Sequence, residues 1–272
     1  MSDRKIIDFH THAFPDAVAA RAIPSLEAAG NVKAFTDGTC TGLLASMDRA
    51  DIDTSVICSI ATKVEQFHPI LDWSRQQKSR RIIPLPSVHP DDPYLVSHIA
   101  AIKRHGFTGI KLHPYYQDFF LAEEKMDPIY KAVCDHDLLL VSHTGFDIAY
   151  PRIRRADPEQ IIHVKEKFPE LKLITTHMGG WDDWEEVERL LIGKPVYLEI
   201  SFTLDFLSPD HARRLITGHP EEFILFGTDS PWKDQHQYLQ QLKKLSLTKE
   251  LYQKIVWKNA GKLLKLHGGS LG

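Results

Sequence analysis

The sequence predicts a (β/α)₈ barrel (a TIM barrel), and three observations support this fold class. The chain has 272 residues, close to the roughly 250 residues of a typical barrel of this kind. Eight short apolar runs rich in Ile, Val and Leu alternate with stretches that have helical spacing. The first run ends in Phe9-His10-Thr11-His12 with no glycine-rich phosphate loop after it, which disfavours the rival fold, a doubly wound open sheet.

The eight apolar runs show little strict alternation of apolar and polar residues, which is typical of parallel strands buried on both faces. We therefore predict strands at residues 5–9, 54–60, 81–88, 108–112, 138–142, 171–176, 196–200 and 223–226. From the third strand onward, successive strand ends are 24 to 34 residues apart, which is the length of one βα unit.

The stretches between the predicted strands carry apolar residues at helical spacing among charged ones. We predict helices at residues 92–104, 127–135, 158–168 and 182–191. Residues 13–50 would form an elaborated loop over the active-site face, with helices at 16–29 and 42–50 and an extended piece at 32–38. A C-terminal helix at 248–266 would close the fold, with a frayed tail at 268–272. Because no linker or low-complexity tract interrupts the chain, we expect one domain over residues 1–272.

The composition excludes several classes of partner. The chain has 33 basic and 36 acidic residues and a net charge of −3, so we expect neither nucleic-acid nor membrane-surface binding. It lacks a signal-like N-terminus and any apolar run near the roughly 20 residues of a membrane span, so we expect a cytoplasmic protein with a small-molecule substrate. The oligomeric state is left open, although apolar residues in the 13–50 loop could serve a homodimer contact. Three scattered cysteines, Cys40, Cys58 and Cys134, predict reduced thiols.

Polar residues gather at the ends of the predicted strands. Six of the 15 histidines lie at or just past a C-terminal strand end, namely His10, His12, His89, His113, His143 and His177. Asp229 follows the eighth strand in the same way. Because the C-terminal ends of all barrel strands meet at the face that builds the active site, these residues would converge.

His10 and His12 are two residues apart on an extended segment, so both side chains point to the same side. With His143 and Asp229 they would supply three nitrogens and one oxygen and leave room for a water, as in a catalytic zinc site. Such an ion lowers the pKa of its water to about 7. Zinc suits these ligands best, although Mn, Fe and Co also accept them.

Each signal is weak when taken alone. An isolated HxH pair is more often a surface pair, a single strand-end histidine is more often structural, and an aspartate after a strand commonly caps the next helix. The joint pattern over strands one, five, six and eight is specific, and it favours one shared site. We interpret His89 as structural.

Four strand-end motifs and a strand-four segment resemble the amidohydrolase superfamily, more narrowly its amidohydrolase-related branch of hydrolases and decarboxylases. The motifs are Phe9-His10-Thr11-His12, Ser142-His143-Thr144-Gly145, Thr176-His177-Met178-Gly179-Gly180, Phe226-Gly227-Thr228-Asp229-Ser230-Pro231-Trp232 and the segment Gly109-Ile110-Lys111-Leu112-His113-Pro114. The resemblance spans essentially the whole chain.

The resemblance implies roles for the matching residues. His10, His12, His143 and Asp229 would bind one divalent ion, and Asp229 would also handle the proton of the metal-bound water. In mononuclear members the counterpart of His177 is a catalytic acid or base, whereas in binuclear members it binds a second metal.

Lys111 separates these two subtypes. Some superfamily members carry a carboxylated lysine at the end of strand four, so a second ion could bind through Lys111 and His177. Alternatively, Lys111 binds an anionic substrate group or pairs with a carboxylate, and we favour the anion role, with His113 and Trp232 also contacting the substrate. Trp232 could instead be a packing residue, and Glu199 either orients a ligand histidine or forms a core salt bridge.

The motifs are compatible with two reactions. The first is hydrolysis of an amide, lactone or ester, in which Asp229 takes a water proton and His177 stabilises or protonates. The second is non-oxidative decarboxylation of an aromatic or unsaturated acid with the same metal ligands. We favour hydrolysis, because decarboxylases of this type carry larger lid insertions. A barrel that only binds a ligand is disfavoured by the complete set of His and Asp.

Overall fold

The structure is a computed structural model that describes residues 5–266, so the predicted tail at 268–272 lies outside it. Eight parallel strands follow one another along the chain, and each overlaps one predicted apolar run. They are β1 (Ile7–Thr11), β2 (Thr54–Cys58), β3 (Ile82–Leu85), β4 (Gly109–Leu112), β5 (Leu139–Ser142), β6 (Lys172–Thr175), β7 (Tyr197–Glu199) and β8 (Ile224–Leu225).

Backbone hydrogen bonds close these strands into a barrel. The strands pair in chain order from β1 to β3 and from β4 to β8. Lys111 N donates to Pro86 O at 2.9 Å and joins the β3 side to β4, while Phe9 N donates to Phe226 O at 2.8 Å and joins β1 to the end of β8. The predicted (β/α)₈ barrel is therefore confirmed, and the open sheet is excluded.

The helices surround the strands, and at least one follows each strand. They are α1 (Asp16–Gly30), α2 (Cys40–Ala50), α3 (Phe67–Gln77), α4 (Leu95–Arg104), α5 (Asp127–Asp135), α6 (Pro158–Lys167), α7 (Trp184–Leu190), α8 (Pro209–Gly218), α9 (Gln235–Lys244), α10 (Lys249–Gln253) and α11 (Asn259–Leu263). As predicted, α1 and α2 lie in the long segment after β1. Within residues 5–266 no helix has both the length and the apolar character needed to cross a bilayer.

The predicted C-terminal helix is interrupted by a wider turn. A π-helical segment, Lys254–Lys258, separates α10 from α11. Within it, the carbonyl of Ile255 accepts a hydrogen bond from Phe226 N at 3.0 Å. Since a π turn changes the usual i to i−4 pairing, the C-terminal helix can bind the end of β8 directly.

Both faces of the strands are buried in apolar surroundings, as the lack of alternation predicts. Val56 and Ile57 are consecutive residues of β2 but belong to two separate apolar clusters, and Leu140 and Val141 of β5 divide in the same way. Cys58 is buried at the end of β2 as a free thiol.

A buried carboxylate joins the first strand to the loop after the last one. Asp8 of β1 accepts hydrogen bonds from the backbone N–H and the hydroxyl of Thr228, at 2.9 and 2.6 Å, and from the side-chain amide of Gln235 at 2.7 Å. Burial raises the pKa of Asp8 to about 6, although these donors act in the opposite direction. Asp8 therefore fixes the segment that precedes Asp229.

We predict that Asp8→Ala lowers the free energy of unfolding by about 3 kcal/mol, because several buried donors lose their acceptor. The measurement is urea denaturation followed by circular dichroism. Asp53→Ala is the matched control, since Asp53 accepts a backbone hydrogen bond from Ile6 in an exposed setting and should change stability by only about 1 kcal/mol. Equal losses in the two variants would contradict a special role for Asp8.

Candidate metal centre and substrate cavity

The predicted site residues come from four strand ends at one mouth of the barrel. His10 lies in β1 and His12 directly follows it, His143 directly follows β5, and His177 lies two residues after β6. Asp229 follows β8, and its N–H donates to the carbonyl of His10 at 2.7 Å. The closure of β8 on β1 thus brings Asp229 to the two histidines of the first strand.

Two polar side chains contact the Nδ1 atom of His10, on the side of the ring away from Asp229. Its Nδ1 lies 3.0 Å from Oε2 of Glu199 and 3.0 Å from the hydroxyl of Ser201. Burial raises the pKa of Glu199 well above its usual value, so a cation bound at His10 would stabilise the ionised carboxylate. Of the two roles considered for Glu199, the contact matches the one in which it orients a ligand histidine.

Each of the other three histidines has one nitrogen next to a backbone carbonyl. Nδ1 of His12 lies 2.8 Å from the carbonyl of Cys58, and Nε2 of His143 lies 3.0 Å from that of Phe146. Nδ1 of His177 lies 3.1 Å from the carbonyl of Ser201. Because a carbonyl only accepts, each of these nitrogens carries the hydrogen.

The second nitrogen of each ring is consequently bare in the neutral imidazole. Burial lowers the pKa of His10 and His143 well below the usual value and that of His177 to about 3. Neutral imidazole is the form that binds metal ions, and a ligand histidine usually donates its other N–H to an acceptor of this kind. The rings of His10, His143 and His177 therefore have the protonation pattern of metal ligands.

Three donor atoms are close enough to share one ion. Nε2 of His10 and Nε2 of His12 lie 3.5 and 3.1 Å from Oδ1 of Asp229, and the three donor atoms lie within 4.8 Å of one another. An ion about 2.1 Å from each ligand atom spans such separations. These residues fit a divalent cation.

His143 does not belong to this group of three. Its bare Nδ1 faces the bare Nε2 of His177 at 3.1 Å, and the two ring centroids are 4.8 Å apart. The ring of His177 lies 5.6 Å from that of His10. His143 as the fourth ligand therefore stays a prediction, as does the alternative in which a second ion binds through Lys111 and His177.

Lys111 lies at the floor of the site. Its side chain is fully buried, and Nζ is 3.2 Å from Nε2 of His10. Burial lowers the pKa of this ammonium group. Among residues 5–266 no carboxylate forms an ion pair with Lys111, so the salt-bridge role considered for it is not observed.

A cavity of about 510 Å³ opens above these groups. His10, Lys111 and His177 belong to its lining, and its walls are mostly apolar. Val18 and Ala22 of α1 form part of one wall, so the long segment after β1 covers the site as predicted. The aromatic wall residues are Phe14, Trp73, Tyr116, Phe146, Trp181, Phe202 and Trp232.

The predicted substrate-binding residues Lys111, His113 and Trp232 all line this cavity. His89 does not, and its imidazole accepts a backbone hydrogen bond from Asp91. Sequence reasoning missed three residues that contact the site, namely Asp8, Asp147 and Ser201, because none of them stands at the spacing of a metal-ligand motif. For Asp8 alone the sequence offers a signal, which is an acidic residue inside an apolar strand run.

The backbone is unusual where two of these residues sit. His177 and Asp229 have φ angles of 56° and 63°, in the left-handed region that costs non-glycine residues of order 1–3 kcal/mol. Gly145, with φ of 85°, lies so close to the backbone of Trp181 that a Cβ atom would collide with it. The loop after β5, which contains Gly145, and the loop after β6, which contains Trp181, are therefore held together through backbone contact.

Comparisons with known proteins agree with this architecture. A family model described as Amidohydrolase matches residues 7–266. None of the curated proteins compared with the chain matches it. The solved structures of similar fold include an uncharacterised TIM-barrel protein from Bordetella bronchiseptica, with 19% identity, a TM-score of 0.77 and coverage of 96% of this chain and 99% of the other.

Two further structures are described as 5-carboxyvanillate decarboxylases. The one from Sphingomonas paucimobilis has 13% identity, a TM-score of 0.71 and coverage of 97% and 99%. The one from Novosphingobium aromaticivorans has 16% identity, a TM-score of 0.73 and coverage of 97% of both chains, and it is complexed with manganese and 4-hydroxy-3-methoxy-5-nitrobenzoic acid. At these identities the likeness establishes a shared fold.

We predict that His12→Ala lowers the affinity for zinc at least about tenfold, because one of three adjacent donor atoms is lost. Metal content after dialysis and competition with a chromogenic chelator measure the change. His163→Ala, on the exposed face of α6, is the control and should keep the wild-type affinity. Unchanged zinc binding by the His12 variant would remove this residue from the centre.

Gly227→Ala should also weaken metal binding, by roughly 10- to 100-fold, without changing a ligand. A Cβ atom at this position would collide with the carboxylate of Glu199 and lie 2.9 Å from Cβ of His10, so it would disturb the contact that orients His10. The same competition assay applies. Gly261→Ala, whose Cβ would meet only Trp257 ring atoms at 3.6 Å or more, should bind metal normally, and equal behaviour of the two variants would rule out this explanation.

Proposed function

Because the chain belongs to the amidohydrolase family, we propose that it is a metal-dependent decarboxylase that removes CO₂ from a small aromatic or conjugated carboxylic acid. The observation that carries this proposal is the contrast within the cavity. Its floor holds the imidazoles and Lys111, whereas its walls are mostly apolar and include seven Phe, Tyr and Trp side chains. Such a cavity suits a flat ring whose carboxylate points to the floor.

His10, His12 and Asp229 would hold a divalent ion, with the bare Nδ1 of His143 as the further ligand. When bound, the ion supplies Lewis-acid chemistry that stabilises negative charge on the substrate. The nitrogen-rich donor set favours zinc. Manganese is the second candidate, because the related decarboxylase from Novosphingobium aromaticivorans is described as complexed with it.

Lys111 would orient the substrate carboxylate. The amine is fully buried and has no carboxylate partner among the described residues, so an anionic group is the partner it lacks. Apolar walls exclude water from the carboxylate, and loss of CO₂ followed by protonation of the ring carbon replaces a buried anion, which is costly to bury, with a neutral product.

The reaction needs one proton on carbon. The bond between the ring carbon and the carboxyl carbon breaks, its electron pair stays on the ring carbon, and a proton takes the place of CO₂. We propose that Asp229 takes this proton from solvent water and delivers it to the ring carbon. Burial lowers the pKa of His177 to about 3, so His177 would act as a neutral hydrogen-bonding group beside the substrate.

Hydrolysis is the second candidate, and one contact favours it. Oδ1 of Asp229 lies beside two ligand nitrogens, where a carboxylate could accept a proton from an attacking water. Chain length does not separate the two reactions, because the match to one decarboxylase covers 97% of this chain and 99% of the other.

A one-domain chain, a homodimer, a cytoplasmic location and the absence of macromolecular partners stay predictions.

The test offers the metal-loaded protein a panel of aromatic carboxylic acids in D₂O, together with amides, lactones and esters. We expect CO₂ release and one deuterium at the vacated ring position. Asp229→Asn should lower the rate by roughly 10²- to 10⁴-fold, measured at full metal occupancy.

Asp182→Asn is the control, because Asp182 pairs with Arg152 on the surface and should leave the rate unchanged. Carboxylate release from an ester, lactone or amide without CO₂ would favour hydrolysis instead. Wild-type rates in the Asp229 variant would remove Asp229 from the mechanism.

A further inference from the structure

A second carboxylate lines the cavity and has no role in the proposed reaction. Asp147 lies in the loop after β5, and it and Asp229 are the two carboxylate residues of the lining. Its Oδ1 accepts a hydrogen bond from Ala149 N at 2.8 Å. Its Oδ2 is directed at histidines, 3.4 Å from Nε2 of His113 and 3.8 Å from Nε2 of His143.

Asp147 has no strong cationic partner within residues 5–266. Its side chain is 9% exposed, and its described ion pairs involve only these two histidines. Neither ring forms a hydrogen bond to Oδ2 at these distances, and Nε2 of His143 donates to the carbonyl of Phe146 instead. Oδ2 of this largely buried carboxylate is therefore available to a donor on a bound molecule.

A metal ion is a poor candidate for that partner. Donor atoms of His113, His143 and Asp147 lie within 4.8 Å of one another, but the two imidazole rings are stacked, with centroids 4.2 Å apart and an interplanar angle of 17°. An imidazole nitrogen binds metal through a lone pair in its ring plane, and two nearly parallel planes cannot share one ion. Nε2 of His143 is also occupied, because it donates to the carbonyl of Phe146.

A hydrogen-bond donor on the substrate fits this corner better. Oδ2 of Asp147 and the carbonyl of Phe146 both accept, and Tyr116 packs edge-on against His113 at 4.5 Å as an aromatic side wall. We propose that Asp147 is a specificity-determining residue that binds a hydroxyl or amino substituent on the ring of the substrate. This inference rests on the proposed function, since it assigns a subsite of the same cavity.

The test compares binding of benzoate with its singly hydroxylated and singly aminated isomers, measured by calorimetry on the metal-loaded protein. We expect at least one substituted isomer to bind about tenfold more tightly than benzoate, as a hydrogen bond to a charged acceptor allows. Asp147→Asn retains Oδ1 for Ala149 and replaces the oxygen that faces the cavity with an amide donor. It should reduce this preference to about one and change benzoate binding less than threefold.

Asp182→Asn, which removes a surface carboxylate outside the lining, is the matched control and should keep the preference. An equal loss of affinity for benzoate and its derivatives in Asp147→Asn would show a merely structural role and overturn the proposal. So would a preference that survives the substitution, or a wild-type protein that prefers none of the isomers.

The same ligands separate this proposal from the proposed reaction. A binding preference that depends on Asp147, together with no CO₂ release from any acid, would contradict decarboxylation and support the Asp147 subsite. CO₂ release without such a preference would support decarboxylation and contradict the subsite. Failure of every benzoate derivative to bind would overturn both.

Discussion

Closure of the barrel between its first and last strands is the constraint on which the metal centre depends. Asp229 N donates to the carbonyl of His10, and Asp8 binds the N–H and hydroxyl of Thr228 just before Asp229. Three ligand atoms from opposite ends of the chain meet only if this contact forms. The buried carboxylate of Asp8 is therefore retained although its burial raises its pKa to about 6.

Hydrogen-bond acceptors around the site orient the imidazole rings for binding a cation. Glu199 and three backbone carbonyls each fix one ring nitrogen, and this leaves the other free of hydrogen and aimed inward. A ligand histidine is usually oriented in this way, by an acceptor for its second N–H. His177 and Asp229, two residues with left-handed backbone, both line the cavity, and strained backbone of this kind clusters at functional sites.

Much of this architecture can be predicted from sequence because it depends on local patterns. The apolar runs predict all eight strands, and the strand-end position predicts that His10, His12, His177 and Asp229 converge. The pairing of His143 with His177 cannot be predicted in this way, since it depends on loop geometry around Gly145 and Trp181. The position of Asp147 in the cavity cannot be predicted for a similar reason. The π-helical segment at Lys254–Lys258 cannot be predicted either, because it depends on a tertiary contact with the end of β8.

The position of α1 separates the shape of the cavity from the position of the metal ligands. The ligands stand on strand ends of a closed barrel, whereas Val18 and Ala22 bring part of the cavity wall from a helix inserted after β1. The insertion contributes no ligand to the centre. The volume offered to a guest molecule can thus be altered by exchanging small side chains on one helix, while the catalytic apparatus and its electrostatics remain intact.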